Sequence, residues 1–166
     1  MQFIEDIEIQ EWCAAHGIAF ASRLRPVIDA RFTHDAELVY ASGRRSGREA
    51  AVANSCMAAL GAWDECLLWV TEWGVFPSGE DWPKYYAARG YRGERRSLDK
   101  APGHLFDSSE EHHAIEFLTL TLENAWDAFL APVTGTECPK VLVEISHDEW
   151  ISVHSVAPVT LAAVDG

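Results

Sequence analysis

The stretch Val141-Leu142-Val143-Glu144-Ile145-Ser146-His147-Asp148-Glu149-Trp150-Ile151-Ser152-Val153-His154-Ser155 decides how this chain is read. A three-residue loop at His147–Glu149 makes Ser146 face Trp150. One side of the resulting ribbon then carries Val141, Val143, Ile145, Ile151 and Val153. The other carries Leu142, Glu144, Ser146, Trp150, Ser152 and His154. That separation is what a half-buried antiparallel hairpin requires, and a two-residue loop would mix the two sets. The cluster His147, Asp148, Glu149 is therefore read as a turn, although the last loop position ordinarily favours Gly. Asp suits turns because its side chain bonds nearby backbone amides.

A second His-Asp pair invites the same reading. In Phe32-Thr33-His34-Asp35-Ala36-Glu37-Leu38, a loop at His34–Ala36 puts Ile28, Ala30, Phe32, Leu38 and Tyr40 on one face. Two hairpins are thus expected. Between them, Glu65–Phe76 (ECLLWVTEWGVF) is short, apolar and aromatic, and is expected as a central strand.

Helices are expected at four places. Ile9, Trp12, Cys13, His16 and Phe20 recur at helical spacing within 5–21. Ser46 and Glu49 form a capping-box pattern that opens a helix to Trp63. A short helix spans 81–89, with Pro83 in its first turn and Gly90 after it. The longest runs from Asp107-Ser108-Ser109-Glu110 to Leu130, with Ile115, Leu118, Leu122, Trp126 and Phe129 on one face. The expected fold class is α+β. A mostly antiparallel sheet of about five strands, two hairpins plus the central strand, packs against two to three long helices in a single domain over 1–166.

Composition narrows function by exclusion. The 166 residues carry a net charge of −13, which argues against nucleic-acid or anionic-membrane binding. No apolar run reaches the roughly 20 residues of a membrane span, and the N-terminus lacks a signal-peptide pattern, so a soluble cytoplasmic protein is expected. Cys13, Cys56, Cys66 and Cys138 show no CxxC spacing, which leaves a zinc knuckle without support. No nucleophile elbow, dinucleotide fingerprint, P-loop or metalloprotease helix is present, and no cofactor is expected. His112-His113 at a helix start point about 100° apart and make a poor metal pair.

The basic residues are segregated. Arg44, Arg45 and Arg48 form one group, and Lys84, Arg89, Arg92, Arg95, Arg96 and Lys100 another. The rest of the chain is correspondingly more acidic. Three functional readings follow. In the first, the protein docks through its acidic surface on a basic protein, as toxin-neutralising immunity proteins of this size and charge do. In the second, Glu72, Trp73, Arg89, Arg92 and His104 line a pocket for a small anionic ligand, with Glu72 half-buried on the central strand and His104 poised near neutral pH. In the third, His34, Asp35, His147 and Asp148 converge at one sheet end and assist metal chemistry. The first is preferred, because no catalytic signature is present.

Overall fold

The computed structural model describes residues 1–22, 25–39 and 48–161. In chain order the elements are β1 (Gln2–Ile4), α1 (Asp6–Ala15), β2 (Phe20–Ser22), β3 (Arg25–Pro26), β4 (His34–Val39), α2 (Arg48–Leu60), β5 (Glu65–Glu72), α3 (Trp82–Tyr91), β6 (Gly103–Asp107), α4 (Glu111–Glu123), β7 (Asp127–Val133), β8 (Val141–Ser146) and β9 (Trp150–Ser155). Seven strands form one sheet in the order β1-β6-β5-β7-β8-β9-β4, and β2 and β3 form a separate two-stranded ribbon. Every pairing is antiparallel. The α+β class is as expected. The sheet is wider than the five strands anticipated: β1 and β6 are short strands at one edge with weak sequence signals, and β7 begins within the expected long helix. No helix of the described residues is long and apolar enough to cross a membrane.

The decisive hairpin forms as read. Ser146 pairs with Trp150, and the loop closes through Glu149 N–H donating to the Ser146 carbonyl at 3.1 Å. Glu149 sits at φ +67°, the left-handed conformation that makes this position favour Gly. Val143, Ile145, Ile151 and Val153 are buried in the main core.

Three expectations are corrected. The first hairpin does not exist: β4 runs straight through His34–Ala36 and pairs with β9 from His34↔Ser155 to Val39↔Trp150. The turn lies earlier, at Asp29–Phe32. There the Asp29 carboxylate accepts the Arg31 backbone N–H at 2.9 Å, and its carbonyl accepts the Phe32 N–H at 3.1 Å. The longest helix stops at Glu123 rather than near Leu130. Ala125 turns to φ +50°, and Asp127–Val133 becomes β7, buried along its whole length. A strand covered on both faces has no alternation, so Trp126 and Phe129 mimic a helical stripe. Finally, Pro102-Gly103 is not a turn, since Gly103 opens β6. The expected capping box at Ser46 lies partly outside the described residues.

Two rows of side chains explain the layers. Phe3, His104, Leu68, Leu130, Val143, Val153 and Ala36 stand opposite one another across all seven strands. Apart from His104 the row is apolar, and α2, α3 and α4 cover it. The next row, on the other face, is Ile4, Gly103, Trp69, Phe129, Glu144, Ser152 and Glu37. It is apolar only at the β1 end. There α1 lays down Ile9 and Cys13, and Phe20 packs edge-on against Trp69 with ring centres 5.5 Å apart. So α1 covers half of this face because only half is apolar.

Gly103 is what lets α1 approach. A Cβ at that position would lie 2.6 Å from Ile4 Cγ1 and 2.8 Å from Ile9 Cγ1. Gly103→Ala should therefore destabilise by about 1–3 kcal/mol through overpacking, read as a lower urea midpoint. At the hairpin the sign reverses. Glu149→Gly should raise stability by up to about 1 kcal/mol, because Gly removes the left-handed penalty.

Candidate functional site

The side chains singled out in the sequence do not gather in one place. His104 faces the helices and has no solvent exposure. Its Nε2 lies 2.7 Å from the Tyr85 hydroxyl, and its Nδ1 lies 3.3 Å from the Leu68 carbonyl. A carbonyl can only accept, so Nδ1 carries the proton and Nε2 accepts from Tyr85. Arg89, equally buried, donates through Nη1 to the Tyr85 oxygen and to the Ala101 carbonyl, both at 3.0 Å. It also donates through Nη2 to the Arg96 carbonyl at 3.3 Å. Its guanidinium lies 4.5 Å from the centre of the Phe3 ring. The result is one donor chain from Arg89 through Tyr85 and His104 to Leu68.

Burial, with the Arg89 charge beside it, holds His104 down at about 3, so it is neutral and a structural member of the core. Tyr85 is pushed upward by burial. Sequence reasoning missed Tyr85, although its i,i+4 spacing to Arg89 on one helix was visible.

The other loop arginines meet the protein's own acids. Arg92 pairs with Glu116 at 2.6 Å and donates to the Ala88 carbonyl. Arg96 pairs with Glu94 at 2.6 Å and Glu5 at 3.0 Å, and donates to the Phe3 carbonyl. The Arg96 guanidinium holds the Glu94 carboxyl down at about 2. Arg44 and Arg45 lie outside the described residues.

Glu72 lies at the far end of β5. A register shift between Val70 and Glu72 sets Glu72 opposite Asp127. The bulge transfers Glu72 from the Leu68–Val70 face, where simple alternation assigns it, to the opposite face. It also turns Trp73 towards the helix-side core. Glu72 is exposed, not half-buried as expected, and lies across the sheet from His104. The five side chains of the anionic-pocket reading therefore do not share one cavity.

Glu72 instead meets His147. Ligating atoms of Glu72, Asp127 and His147 all lie within 4.8 Å of one another. Asp127 Oδ1 accepts both the His147 backbone N–H at 2.6 Å and its Nδ1 at 2.8 Å. His147 Nε2 is 3.7 Å from Asp148 Oδ1, and the Phe76 ring closes one side at 6.2 Å. Asp127 escaped notice because it was assigned to a helix.

The other His-Asp pair does not join this cluster. Asp35 bonds His154 Nδ1 at 2.7 Å, and His34 pairs with Ser155, about 17 Å along β9 from the turn. The expected convergence of His34, Asp35, His147 and Asp148 is thus overturned by the strand register. Cys13, Cys56 and Cys66 are buried, and burial pushes the Cys13 and Cys56 thiols up to about 12, so these are packing residues.

The opposite end of β5 is an acidic rim. Glu65 pairs across the sheet with Asp107 and accepts the Trp12 indole N–H at 3.0 Å, which brings in α1. Glu8 and Glu11 project from that helix, and Glu110 and Glu111 follow Asp107. At this end the N-terminal amine is paired with Glu110, whereas the Arg96–Glu5 pair sits beyond Ile4, at the other end of β1.

His104 makes the fold acid-sensitive. Unfolded, it takes a proton near 6.5; folded, only near 3. Between those values the unfolded chain binds the extra proton, so stability falls as pH drops below 6.5. From pH 6 to pH 5 this one group should cost about 1 kcal/mol. Urea melts of wild type and His104→Gln at both pH values should differ in their pH dependence by that amount. No family model matches the chain, and no curated protein or solved structure is significantly similar to it.

Proposed function

We propose that the chain is a small acidic binding protein of the cytoplasm that docks on a basic partner protein. The observation that carries this reading is the partition of charge. Arg89 is buried, while Arg31, Arg92, Arg96, Lys84 and Lys140 are each paired with one of the protein's own carboxylates. These six described cations are engaged within the molecule. On the rim Glu11, Glu65, Asp107 and Glu111 are exposed, and the N-terminal amine, paired with the half-buried Glu110, is the one cationic group paired there among the described residues. Such a surface speeds encounter with a basic protein and fixes its orientation. Toxin-neutralising immunity proteins use acidic surfaces in this way, and the likeness is one of size and charge alone. Four free cysteines, three of them buried, suit a reducing compartment.

The second reading, a small anionic ligand held by Glu72, Trp73, Arg89, Arg92 and His104, has less behind it. Its cationic groups are either buried or already engaged by carboxylates.

The test is capture from native lysate at low and high salt, with mass-spectrometric identification. Wild type is compared with the triple reversal Glu8→Lys/Glu11→Lys/Glu65→Lys and with Glu72→Gln. Wild type and Glu72→Gln should hold the same basic protein, more weakly at high salt. The triple reversal should slow association with that protein by about tenfold or more. Equal capture by the triple reversal, or no basic protein held by wild type, overturns the reading.

A further inference from the structure

We propose that Glu72, Asp127 and His147 form a binding site for a first-row divalent metal ion such as Zn²⁺ or Mn²⁺. The site is independent of the acidic rim. It lies at the other end of β5, about 23 Å from Glu65 along the strand.

Three adjacent pieces of the fold each supply one donor. Glu72 is the last residue of β5, Asp127 the first of β7, and His147 the first residue after β8. Their ligating atoms lie within 4.8 Å of one another. Metal–ligand bonds of about 2.0–2.2 Å put neighbouring ligands about 3.0–4.4 Å apart. The observed spread thus exceeds a closed site by less than about an ångström, within reach of a side-chain rotation. The two inner donors are held in place. Asp127 is buried and fixed by the His147 backbone N–H, and His147 Nδ1 stands 2.8 Å from Asp127 Oδ1. That hydrogen-bond separation is slightly shorter than the spacing of adjacent ligands on one ion, so the two atoms part by about half an ångström to admit it. A metal ion replaces the proton between those two atoms, and Glu72, exposed and at the strand end, closes over it.

The charge layout favours a cation. The bulge in β5 sets two carboxylates, Glu72 and Asp127, directly opposite each other, an arrangement that is otherwise destabilising. Asp148 adds a third carboxylate beside His147. Among the described residues no lysine or arginine is salt-bridged to Glu72, Asp127 or Asp148. Here the histidine is the sole cationic candidate among these contacts.

The donor set selects the ion. One imidazole nitrogen with two carboxylate oxygens suits Zn²⁺, Mn²⁺, Co²⁺ or Ni²⁺, whereas Ca²⁺ and Mg²⁺ prefer oxygen-only shells. Three protein ligands leave at least one coordination position for water or for a group from another molecule.

The experiment is isothermal titration of chelator-stripped full-length protein with ZnCl₂, MnCl₂ and MgCl₂. The expected result is about one Zn²⁺ per chain, bound more tightly than Mn²⁺, with no measurable Mg²⁺ binding. Glu72→Gln and His147→Gln should each weaken Zn²⁺ binding by at least about tenfold. Glu72 is exposed, so its variant separates ligand loss from misfolding, and an unchanged far-ultraviolet spectrum checks this. His112→Gln/His113→Gln is the control for adventitious histidine binding and should leave the titration unchanged. Absence of stoichiometric Zn²⁺ binding overturns the proposal. So does binding that survives both Glu72→Gln and His147→Gln, or binding lost in the His112/His113 control.

Discussion

A guanidinium sits inside the helix-side core of this protein, and among the described residues no carboxylate pairs with it. Burying a charge this way is costly unless its donors are met. Arg89 meets much of that constraint through its two terminal nitrogens, with a hydroxyl, two backbone carbonyls and the face of Phe3, while its Nε has no hydrogen-bond partner. These partners come from α3 itself, the segment after it and β1, so the constraint shapes much of the fold around it. Tyr85 must lie one helical turn before Arg89. The segment after α3 must curl back so that the carbonyls of Arg96 and Ala101 point inward. β1 must bring Phe3 beside His104. His104 in turn must stay neutral, because the Arg89 charge and the loss of solvent both oppose a second proton.

The same constraint explains the basic segment that follows α3. The Arg96 and Ala101 carbonyls turn inward towards Arg89 and Leu98 packs into the core, while the Arg96 side chain points outward. There Arg92 and Arg96 find Glu116, Glu94 and Glu5. A run of arginines that looks in sequence like an anion-binding loop is thus largely consumed in wrapping a core residue and fastening β1 and α4 to α3. Exposed ion pairs of this kind add little to stability singly, so their larger effect is on what charge the surface presents.

Legibility in the sequence followed burial. The 141–155 hairpin could be read to its register because one face is apolar and the other mostly polar, and only one loop length separates them. β7 could not, since Asp127–Val133 is covered on both sides and offers no alternation to detect. The His34-Asp35 pair looked like a turn because its flanks alternate equally well through a loop or straight along a strand. What discriminated was Asp29, whose side chain closes a turn of its own a few residues earlier. Of the candidate site, Glu72 and His147 were visible as individuals. Their meeting was not. It depends on a one-residue bulge that moves Glu72 across the sheet, and on a partner, Asp127, concealed within an apparent helix.

The bulge also separates two tasks along one strand. Without it, Glu72 would project with Leu68 and Val70 into the helix-side core, where an unpaired carboxylate is costly. Displaced by one residue, it reaches solvent beside Asp127, and Trp73 takes the place towards the core. At the other end of β5, Glu65 lies in regular register opposite Asp107 and joins the rim through the Trp12 indole. One strand therefore carries a carboxylate at each end, about 23 Å apart and in different surroundings. At Glu65 the acids are spread over an exposed surface, suited to long-range attraction of a large cationic body. At Glu72 they converge with an imidazole on a single point, suited to a small cation. Screening separates them physically, because at physiological salt the Debye length is about 8 Å, well short of that distance.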